Sequence, residues 1–446
     1  MASSLEHDFL SATQGSSRLH ARATELLPGG VSGSGKSMKP YPLYVRSASG
    51  SRIVDVDDRS YVDLLMGGGA AITGHANPLV WNAIQEAWTR YGSVPVVTSE
   101  LELALADAIR QHLTGAEVVR FTNTGSEATA ACVRLARAVT GRRLVAKFEG
   151  GFHGGGDALL VSGVRAGAGT DDSPESCVDS AGLPTSVSAD TVVLPFNDSA
   201  AVERTLDRLG AQIAAVVIEP VAQFHMGCIP AEPSFLASVR EATTKHGILL
   251  VFDEVVTGFR VALGGAAEIY GVVPDLRALG KAIGGGMPIG AFCGARTLLD
   301  PLVSENPEQR VFQSGTFTGN PLSVAAGLAT LRWLSSSDAL RTMNELGERT
   351  QANIASAAQQ YGLAVQVTGL GSLFQVHFAS SPIRNKRDTM RADSQLQRLF
   401  SLGVISKGVY WPPHHPALLS TAHTAADMDV VDEAVDAVFR TIAEGA

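Results

Sequence analysis

Two side chains with reactive chemistry stand close together in the second half of the chain: an acid that ends an apolar run and a lysine among glycines. The acid is Asp253, which follows the apolar run 248–252 and precedes Glu254. The lysine is Lys281, in the segment GKAIGGG at 280–286. Residues at the carboxyl ends of buried parallel strands line the ligand crevice of open α/β sheets, so this pattern predicts that Asp253 lies in such a crevice.

A lysine amine attacks carbonyl groups when burial or nearby positive charge lowers its pKa, and a buried carboxylate needs a cationic partner. Pyridoxal phosphate (PLP) requires both groups, because a lysine forms its Schiff base and a carboxylate pairs with its pyridinium nitrogen. Simpler interpretations exist for each residue taken alone. An Asp-Glu pair after a strand also holds magnesium in nucleotide hydrolases, and a lysine beside glycines is commonly a solvated loop residue.

A phosphate site upstream favours the PLP interpretation. The segment FTNTGSEATAACVRLARAVTG, at 121–141, runs from a strand end through Thr124, Gly125 and Ser126 into an amphipathic helix. Hydroxyls and free N–H groups at a helix start bind anions, although ordinary helix capping by Thr124 or Ser126 explains the same residues. A second hydroxyl-rich helix start, SGTFTGNP, contains Thr316 and is a further candidate phosphate site.

An aromatic residue between glycines is a candidate to stack on a cofactor ring. The segment GGFHGGGDALLV, at 150–161, holds Phe152 and His153. Aromatic rings favour offset stacking, so Phe152 can pack on a flat heterocycle. A role in the hydrophobic core is the alternative for this phenylalanine.

Composition excludes several function classes. Of the 446 residues, 45% are apolar and 18% are charged, which favours a compact enzyme with a large hydrophobic core. The net charge of −9 indicates no basic surface for nucleic acid. No apolar run reaches the roughly 18 residues of a membrane span. The four cysteines lack C-x-x-C spacing and the N-terminus does not resemble a secretory signal, so we expect a reduced, cytoplasmic protein.

The order of elements predicts an α/β fold, with a mostly parallel central sheet flanked by helices and a smaller α+β C-terminal domain. We expect an N-terminal segment at 1–70, which packs with the small domain, a large cofactor-binding domain at 71–335 and the small domain at 336–446. Within the first segment the pattern predicts a helix at about 15–26 and two short strands within 42–65. The Gly/Ser/Asp/Pro-rich stretch at 163–188 predicts a lid or a disordered excursion.

The ordered motifs NTGSEA, FHGGG, IEPV, DEVVTGFR, GKAIGGGMP and GTFTGNP resemble the class III aminotransferases of the fold-type-I PLP family, across nearly the whole chain. Within that family the chain is most similar to glutamate-1-semialdehyde 2,1-aminomutases and their aminotransferase relatives. The resemblance implies a homodimer with shared active sites, a Schiff base on Lys281 and a pairing of Asp253 with the pyridinium nitrogen. It further implies cofactor-binding residues, which are Thr124, Gly125, Ser126, Phe152, His153, Glu219, Asp253, Val255, Lys281 and, from the other subunit, Thr316.

Three positions depart from the mutase pattern, and we interpret them as substrate-binding candidates. Lys36 stands where mutases have an arginine that grips the substrate carboxylate, Gly68 replaces a tryptophan, and His225 lies in a segment unlike theirs. We therefore hypothesise an intermolecular ping-pong aminotransferase that moves an amino group between an amine or amino acid and a keto acid or aldehyde. The alternative is mutase-type intramolecular transfer. A racemase or decarboxylase on this fold and a non-catalytic relative remain further alternatives, and no metal site is assigned.

Overall fold

The N-terminal part of the chain forms two helices and a small sheet. The computed structural model describes residues 2–93 and 96–445. The first elements are α1 (Ala2–Ala12), α2 (Gln14–Leu26), β1 (Val45–Ser49), β2 (Arg52–Asp55) and β3 (Ser60–Asp63). The sequence predicted the second helix but missed α1, and it predicted two strands where three form. Leu5 and Phe9 of α1 are buried because this helix packs on a helix of the C-terminal region.

The middle of the chain alternates between helices and strands. Its elements are α3 (Pro78–Tyr91), α4 (Glu100–His112), β4 (Val118–Thr122), α5 (Gly125–Thr140), β5 (Leu144–Phe148), β6 (Gly169–Thr170), β7 (Ser173–Pro174), α6 (Thr185–Ala189), β8 (Thr191–Leu194), α7 (Ser199–Leu209), β9 (Ile213–Ile218), β10 (Val221–Ala222), β11 (Ile229–Pro230), α8 (Pro233–Lys245), β12 (Leu249–Glu254), α9 (Gly265–Tyr270), β13 (Leu276–Gly280), β14 (Gly290–Gly294), α10 (Arg296–Leu299) and α11 (Pro321–Ser336).

Seven of these strands form one sheet in the order β4-β14-β13-β12-β9-β5-β8. Every neighbouring pair is parallel except the two pairs that β14 makes with β13 and β4, which are antiparallel. Strands β5, β9 and β13 are buried along their whole length, as expected of parallel strands covered on both faces. The predicted α/β fold with a mostly parallel sheet is therefore confirmed.

The C-terminal region forms α12 (Ala339–Gln360), β15 (Val365–Leu370), β16 (Leu373–Phe378), α13 (Lys386–Arg391), α14 (Ser394–Ser406), β17 (Val409–Tyr410), β18 (Ala417–Leu418) and α15 (Ala425–Glu444). Strand β17 pairs in parallel with β3, so this region shares a sheet with the N-terminal segment. The domain boundaries at 70 and 335 stay a prediction. None of the helices in residues 2–93 and 96–445 is long and apolar enough to cross a membrane.

The excursion at 163–188 folds against the rest of the molecule. It contains the ribbon of β6 and β7 and the short helix α6. Asp179 organises its start by accepting hydrogen bonds from the backbone N–H groups of Gly163, Val164 and Arg165. Arg387 on α13 joins the excursion to the sheet, because it donates to Ala168 O at 2.7 Å and to Glu149 Oε2 at 2.9 Å.

Candidate active site

The carboxyl ends of β9, β12 and β13 bring the predicted acid and lysine to one edge of the sheet. Asp253 lies opposite Ala278 in the parallel pair of β12 and β13, and Lys281 follows the end of β13 directly. Ile218 of β9 lies opposite Phe252 of β12, so Glu219 emerges beside Asp253. These residues line a cavity of about 400 Å³, which is a volume suited to a small-molecule ligand.

The carboxylate of Asp253 is held by two donors and is 5% exposed. His153 Nδ1 lies 2.8 Å from Asp253 Oδ2, and the N–H of Val255 donates to Oδ1 at 3.1 Å. Because an ionised carboxylate only accepts, Nδ1 of the imidazole carries the proton. Burial lowers the pKa of His153, although Asp253 opposes this shift, so the ring is neutral near pH 7. Asp253 is therefore oriented by a neutral ring, and its carboxylate lines the cavity, where a cationic group of a ligand would pair with it.

Glu219 is a second buried acid at the same edge. Its Oε2 accepts from the N–H of Phe152 at 2.9 Å, and its Oε1 accepts from the N–H of Gln223 at 3.3 Å. Burial and the neighbouring Asp253 raise the pKa of Glu219 to about 8. Two acids this close resist ionising together, so the pair favours a cationic group between them.

Lys281 begins a short 3₁₀ turn after β13 and has a φ of +47°, an uncommon conformation for a residue with a side chain. Such backbone strain clusters at functional sites. Burial lowers the pKa of Lys281, while the charges of Asp253 and Glu219 oppose that shift. Its Nζ lies 5.2 Å from the centre of the Phe224 ring. The lysine is thus directed into the cavity with a fraction of neutral, nucleophilic amine larger than that of a solvated lysine.

The start of α5 forms the anion-binding side of the cavity. Thr124 caps the helix by accepting from the N–H of Glu127, and Gly125 and Ser126 supply the first helical N–H groups, which have no intrahelical acceptors. Space here is tight: a Cβ on Gly125 would stand 2.7 Å from a γ-carbon of Val255, and one on Gly154 would stand 2.1 Å from Ser126 Oγ. Only glycine lets both segments approach the ligand position this closely.

Two apolar side chains among the lining residues, Phe152 and Val255, offer surfaces for a flat ligand. Phe152 follows the glycines of the 150–156 loop, and Val255 follows β12. The ring of Phe152 packs at 5.1 Å on Phe224 and at 5.5 Å on His225. The loop carrying Phe152 is tied to α5, since Thr129 Oγ1 donates to His153 O at 2.7 Å.

Four predicted site residues do not line this cavity in the structure, as far as the described residues go. Thr316 is exposed in the loop before α11. Lys36 is exposed and its Nζ donates to Ser32 Oγ at 2.8 Å. Gly68 lies in a turn with a φ of +67°, two residues before Ala70, which does line the cavity. The imidazole of His225 packs edge-on against the ring of Phe152 and does not line the cavity. Their roles stay predictions.

The structure adds residues that the sequence patterns did not assign to the site. The cavity is also lined by Ala70, Gln223, Met287 and Ile289. Phe224 has a φ of +27°, which no local sequence signal indicates. Lys147 was missed as well, although a single lysine inside the apolar run LVAKF indicates a charged group buried in a strand. It is fully buried directly behind the 150–161 loop.

These residues fit PLP. The start of α5 suits a phosphate, Asp253 suits a protonated ring nitrogen, and Phe152 and Val255 offer apolar surfaces for the ring. Within the part of the chain that the structure describes, Nε2 of His153 is buried and makes no hydrogen bond, while Nδ1 of the same ring contacts Asp253. Lys281 lines the same cavity, where its amine would meet the cofactor aldehyde.

Comparison with known proteins agrees with this geometry. A model of the family described as Aminotransferase class-III matches residues 34–442. A glutamate-1-semialdehyde 2,1-aminomutase from Methanothermobacter thermautotrophicus is 40% identical over 429 residues, covering 95% of this chain and 98% of that protein. Among solved structures, an omega-transaminase from Sphaerobacter thermophilus aligns with a TM-score of 0.89 and 33% identity over 95% of this chain and 97% of its own. A glutamate-1-semialdehyde-aminomutase variant from Pseudomonas aeruginosa PAO1, in complex with PMP, aligns with a TM-score of 0.88 and 26% identity over 98% and 96%.

Proposed function

The chain belongs to the class III aminotransferases, which are PLP-dependent enzymes, and from that premise we propose that it moves an amino group from a donor amine to a separate carbonyl acceptor. The two substrates occupy the same cavity in turn, so ping-pong kinetics are expected. Donors are amines or amino acids, and acceptors are keto acids or aldehydes.

One observation carries the intermolecular proposal: the charge of the cavity wall. Among the described residues that line the cavity, Lys281 is the one lysine and there is no arginine. A mutase acting on glutamate-1-semialdehyde must hold the carboxylate of its substrate, and a guanidinium group does so with two parallel hydrogen bonds. Lys36, at the position of the mutase arginine, points its amine at Ser32. A cavity of this kind favours a donor amine that brings no carboxylate to be held.

The residues divide the chemistry among themselves. The cofactor, when bound, supplies an electron sink for the bond that breaks at the substrate Cα. Asp253, oriented by His153, holds positive charge at the ring nitrogen. The amine of Lys281, neutral in part because burial lowers its pKa, would remove the Cα proton and return it from the same side. Phe152 and Val255 would hold the ring between apolar surfaces and keep water from the reacting bonds.

Intramolecular transfer is the second candidate, and the names of the curated relatives favour it. Proteins named glutamate-1-semialdehyde 2,1-aminomutase match this chain at 38% and 40% identity over nearly its whole length. This support for a mutase is stronger than any that the comparisons give to intermolecular transfer. The second candidate therefore predicts that glutamate-1-semialdehyde is converted without a second substrate.

A direct competition of the two reactions tests the proposal. The purified holoenzyme is incubated with a panel of amines and amino acids, with pyruvate or 2-oxoglutarate as the acceptor, and the ketone and the new amino acid are quantified. A parallel sample receives glutamate-1-semialdehyde alone. Intermolecular transfer yields both products in equal amounts. Turnover of glutamate-1-semialdehyde with no product from any donor–acceptor pair would replace the proposal by the mutase.

We further propose a homodimer in which Thr316 serves the active site of the second copy, and a cytoplasmic location. Large apolar side chains near Thr316 support the dimer, since Phe312 is 73% exposed and Phe317 is 58% exposed. The four cysteines are free thiols, which suits a reducing compartment. Light scattering during size exclusion measures the mass in solution, and a monomer at micromolar concentration would contradict the dimer.

A further inference from the structure

A buried ammonium group, that of Lys147, lies behind the active site and forms no salt bridge with any acid in the described part of the chain. Lys147 interrupts the apolar strand β5 and has 0% of its surface exposed. Its Nζ donates to three backbone carbonyls, those of Gly151 at 2.7 Å, Val161 at 2.7 Å and Leu159 at 3.2 Å. A buried charge is costly unless it is fully hydrogen-bonded, and these three bonds satisfy the ammonium group. They also hold the two ends of the 151–161 loop together.

The first of those carbonyls belongs to a peptide group that is held at both ends. Gly151 O and the N–H of Phe152 are parts of the same planar peptide. The oxygen accepts from Lys147 Nζ at 2.7 Å, and the N–H donates to Glu219 Oε2 at 2.9 Å. The ammonium therefore faces the negative end of this peptide dipole and the acid faces its positive end. The two side chains also act on one another through space.

We propose that Lys147 and Glu219 form a bridged pair, each hydrogen-bonded to one end of the Gly151–Phe152 peptide, and that Lys147 is a positioning residue for the aromatic ring of Phe152. Phe152 begins at the clamped peptide, so the direction of its Cα–Cβ bond follows from the orientation of that peptide. His153, which orients Asp253, is the next residue. Through this peptide, Lys147 sets the direction of the Phe152 ring and the position of His153. The Lys147 side chain itself is not among the described residues that line the cavity.

The burial of Lys147 supports this role over a purely structural one. Its pKa is lowered to about 8 by burial, with Asp179 and Glu219 opposing the shift. A neutral residue packs in a strand interior at lower cost than an ammonium, so a lysine here contributes something that packing alone does not. The charge stabilises one orientation of the peptide, because rotating the peptide would turn its N–H toward the ammonium.

The inference rests on the proposed function only where activity is measured, and its main test needs no substrate. We compare K147M, E219Q and the double variant by amide hydrogen exchange of the apo-protein, followed by mass spectrometry of peptides that contain Phe152. We expect exchange in this segment to rise about tenfold or more in K147M and in E219Q. The control K245M replaces a lysine on the exposed part of α8, which is paired with Asp207, and leaves this exchange unchanged.

Activity supplies the second readout, through a double-mutant cycle. We expect K147M and E219Q each to lower kcat about tenfold, with the KM for the donor changed less than threefold. Because both act through one peptide, the double variant should be no slower than the slower single variant. As a reference, T124A removes the cap of α5, which is independent of that peptide, so its effect should multiply with that of K147M.

Three results would overturn the proposal. One is an amide hydrogen-exchange rate at Phe152 that is unchanged from wild type in a folded K147M protein. Another is full multiplication of the two single effects in the double variant. If K147M does not fold, E219Q still decides, because it leaves the three carbonyl contacts of Lys147 in place, and unchanged exchange in E219Q contradicts a bridged pair. Failure of amino transfer with every substrate would refute the proposed function and leave the exchange result standing.

Discussion

Replacing Gly125 by alanine should weaken PLP binding while leaving the apo-protein almost as stable as before. The new Cβ would stand 2.7 and 2.8 Å from the two γ-carbons of Val255, whereas carbon atoms in contact normally lie about 3.5–4.0 Å apart. Val255 must therefore move by roughly 1 Å, which costs about 1–3 kcal/mol in a packed environment. In the apo-protein the side chain can turn into the cavity. With the cofactor ring present that space is filled, so the strain falls on the bound state.

A cost of about 1–3 kcal/mol on the bound state alone raises the Kd for PLP about 5- to 150-fold. The assay is equilibrium titration of apo-protein with PLP, followed by the cofactor absorbance, with thermal unfolding of both apo-proteins alongside. G155A is the matched control in the same region of the site, because a Cβ on Gly155 has no atom within 4 Å. We expect G155A to bind PLP within about twofold of wild type.

The double variant G125A/V255A separates this steric cause from any other. Shortening Val255 removes the atoms that the new Cβ would meet, so adding G125A to V255A should change the Kd less than threefold. Wild-type affinity in G125A would refute the reasoning. So would an undiminished effect of G125A in the V255A background, since the loss would then come from the helix start itself.

Three further predictions concern the charged groups. K281A should abolish the absorbance band near roughly 410–430 nm that a bound PLP imine gives, and lower turnover at least about a thousandfold; half-reactions that persist undiminished would contradict the assignment. D253N should lower kcat about a hundredfold or more, because the buried positive charge at the ring nitrogen loses its partner, and stopped-flow rates with a saturating donor measure this; a kcat within threefold of wild type would argue against it. Because the pKa of Glu219 is raised to about 8, the folded apo-protein binds more protons than the unfolded chain between about pH 4.5 and 8. The unfolding free energy of wild type relative to E219Q should therefore fall as the pH rises through this range, and urea titrations at several pH values check the sign.

The sequence predicted those parts of the fold and site that depend on local patterns. An apolar run that ends in an acid marked β12, a lysine among glycines marked the turn that follows β13, and a hydroxyl–glycine–hydroxyl cluster before an amphipathic stretch marked the start of α5. Each of these residues lies at the cavity because β12 and β13 end there and α5 begins there. Helix α1 was missed although Leu5 and Phe9 stand four residues apart, because the polar residues around them conceal a short apolar face that packs on α14 and, at Phe9, on Tyr41.

Long-range contacts determine side-chain positions that local sequence patterns do not fix. Phe224 lines the cavity with a positive φ, and its ring packs at 5.7 Å on His415, almost two hundred residues later. Lys36 and Thr316 lie on exposed loops whose positions depend on tertiary packing, so no local periodicity fixes where their side chains point. The clamp around the Gly151–Phe152 peptide joins residues from β5, a loop and the end of β9, and only the folded chain brings them together.

The single reversed strand of the large sheet has a geometric consequence. Strand β14 lies between β13, which leads to Lys281, and β4, which leads to Thr124, and Gly290 faces both Gly280 and Thr122. The covalent and ionic anchors therefore stand two strand spacings apart, about 9–10 Å at the backbone. This separation selects among ligands by length, because a ligand that engages both anchors must have its aldehyde and its phosphate at a matching distance. A vitamin B6 form without the phosphate can engage only the lysine, and a form with a longer arm cannot place both groups at that distance.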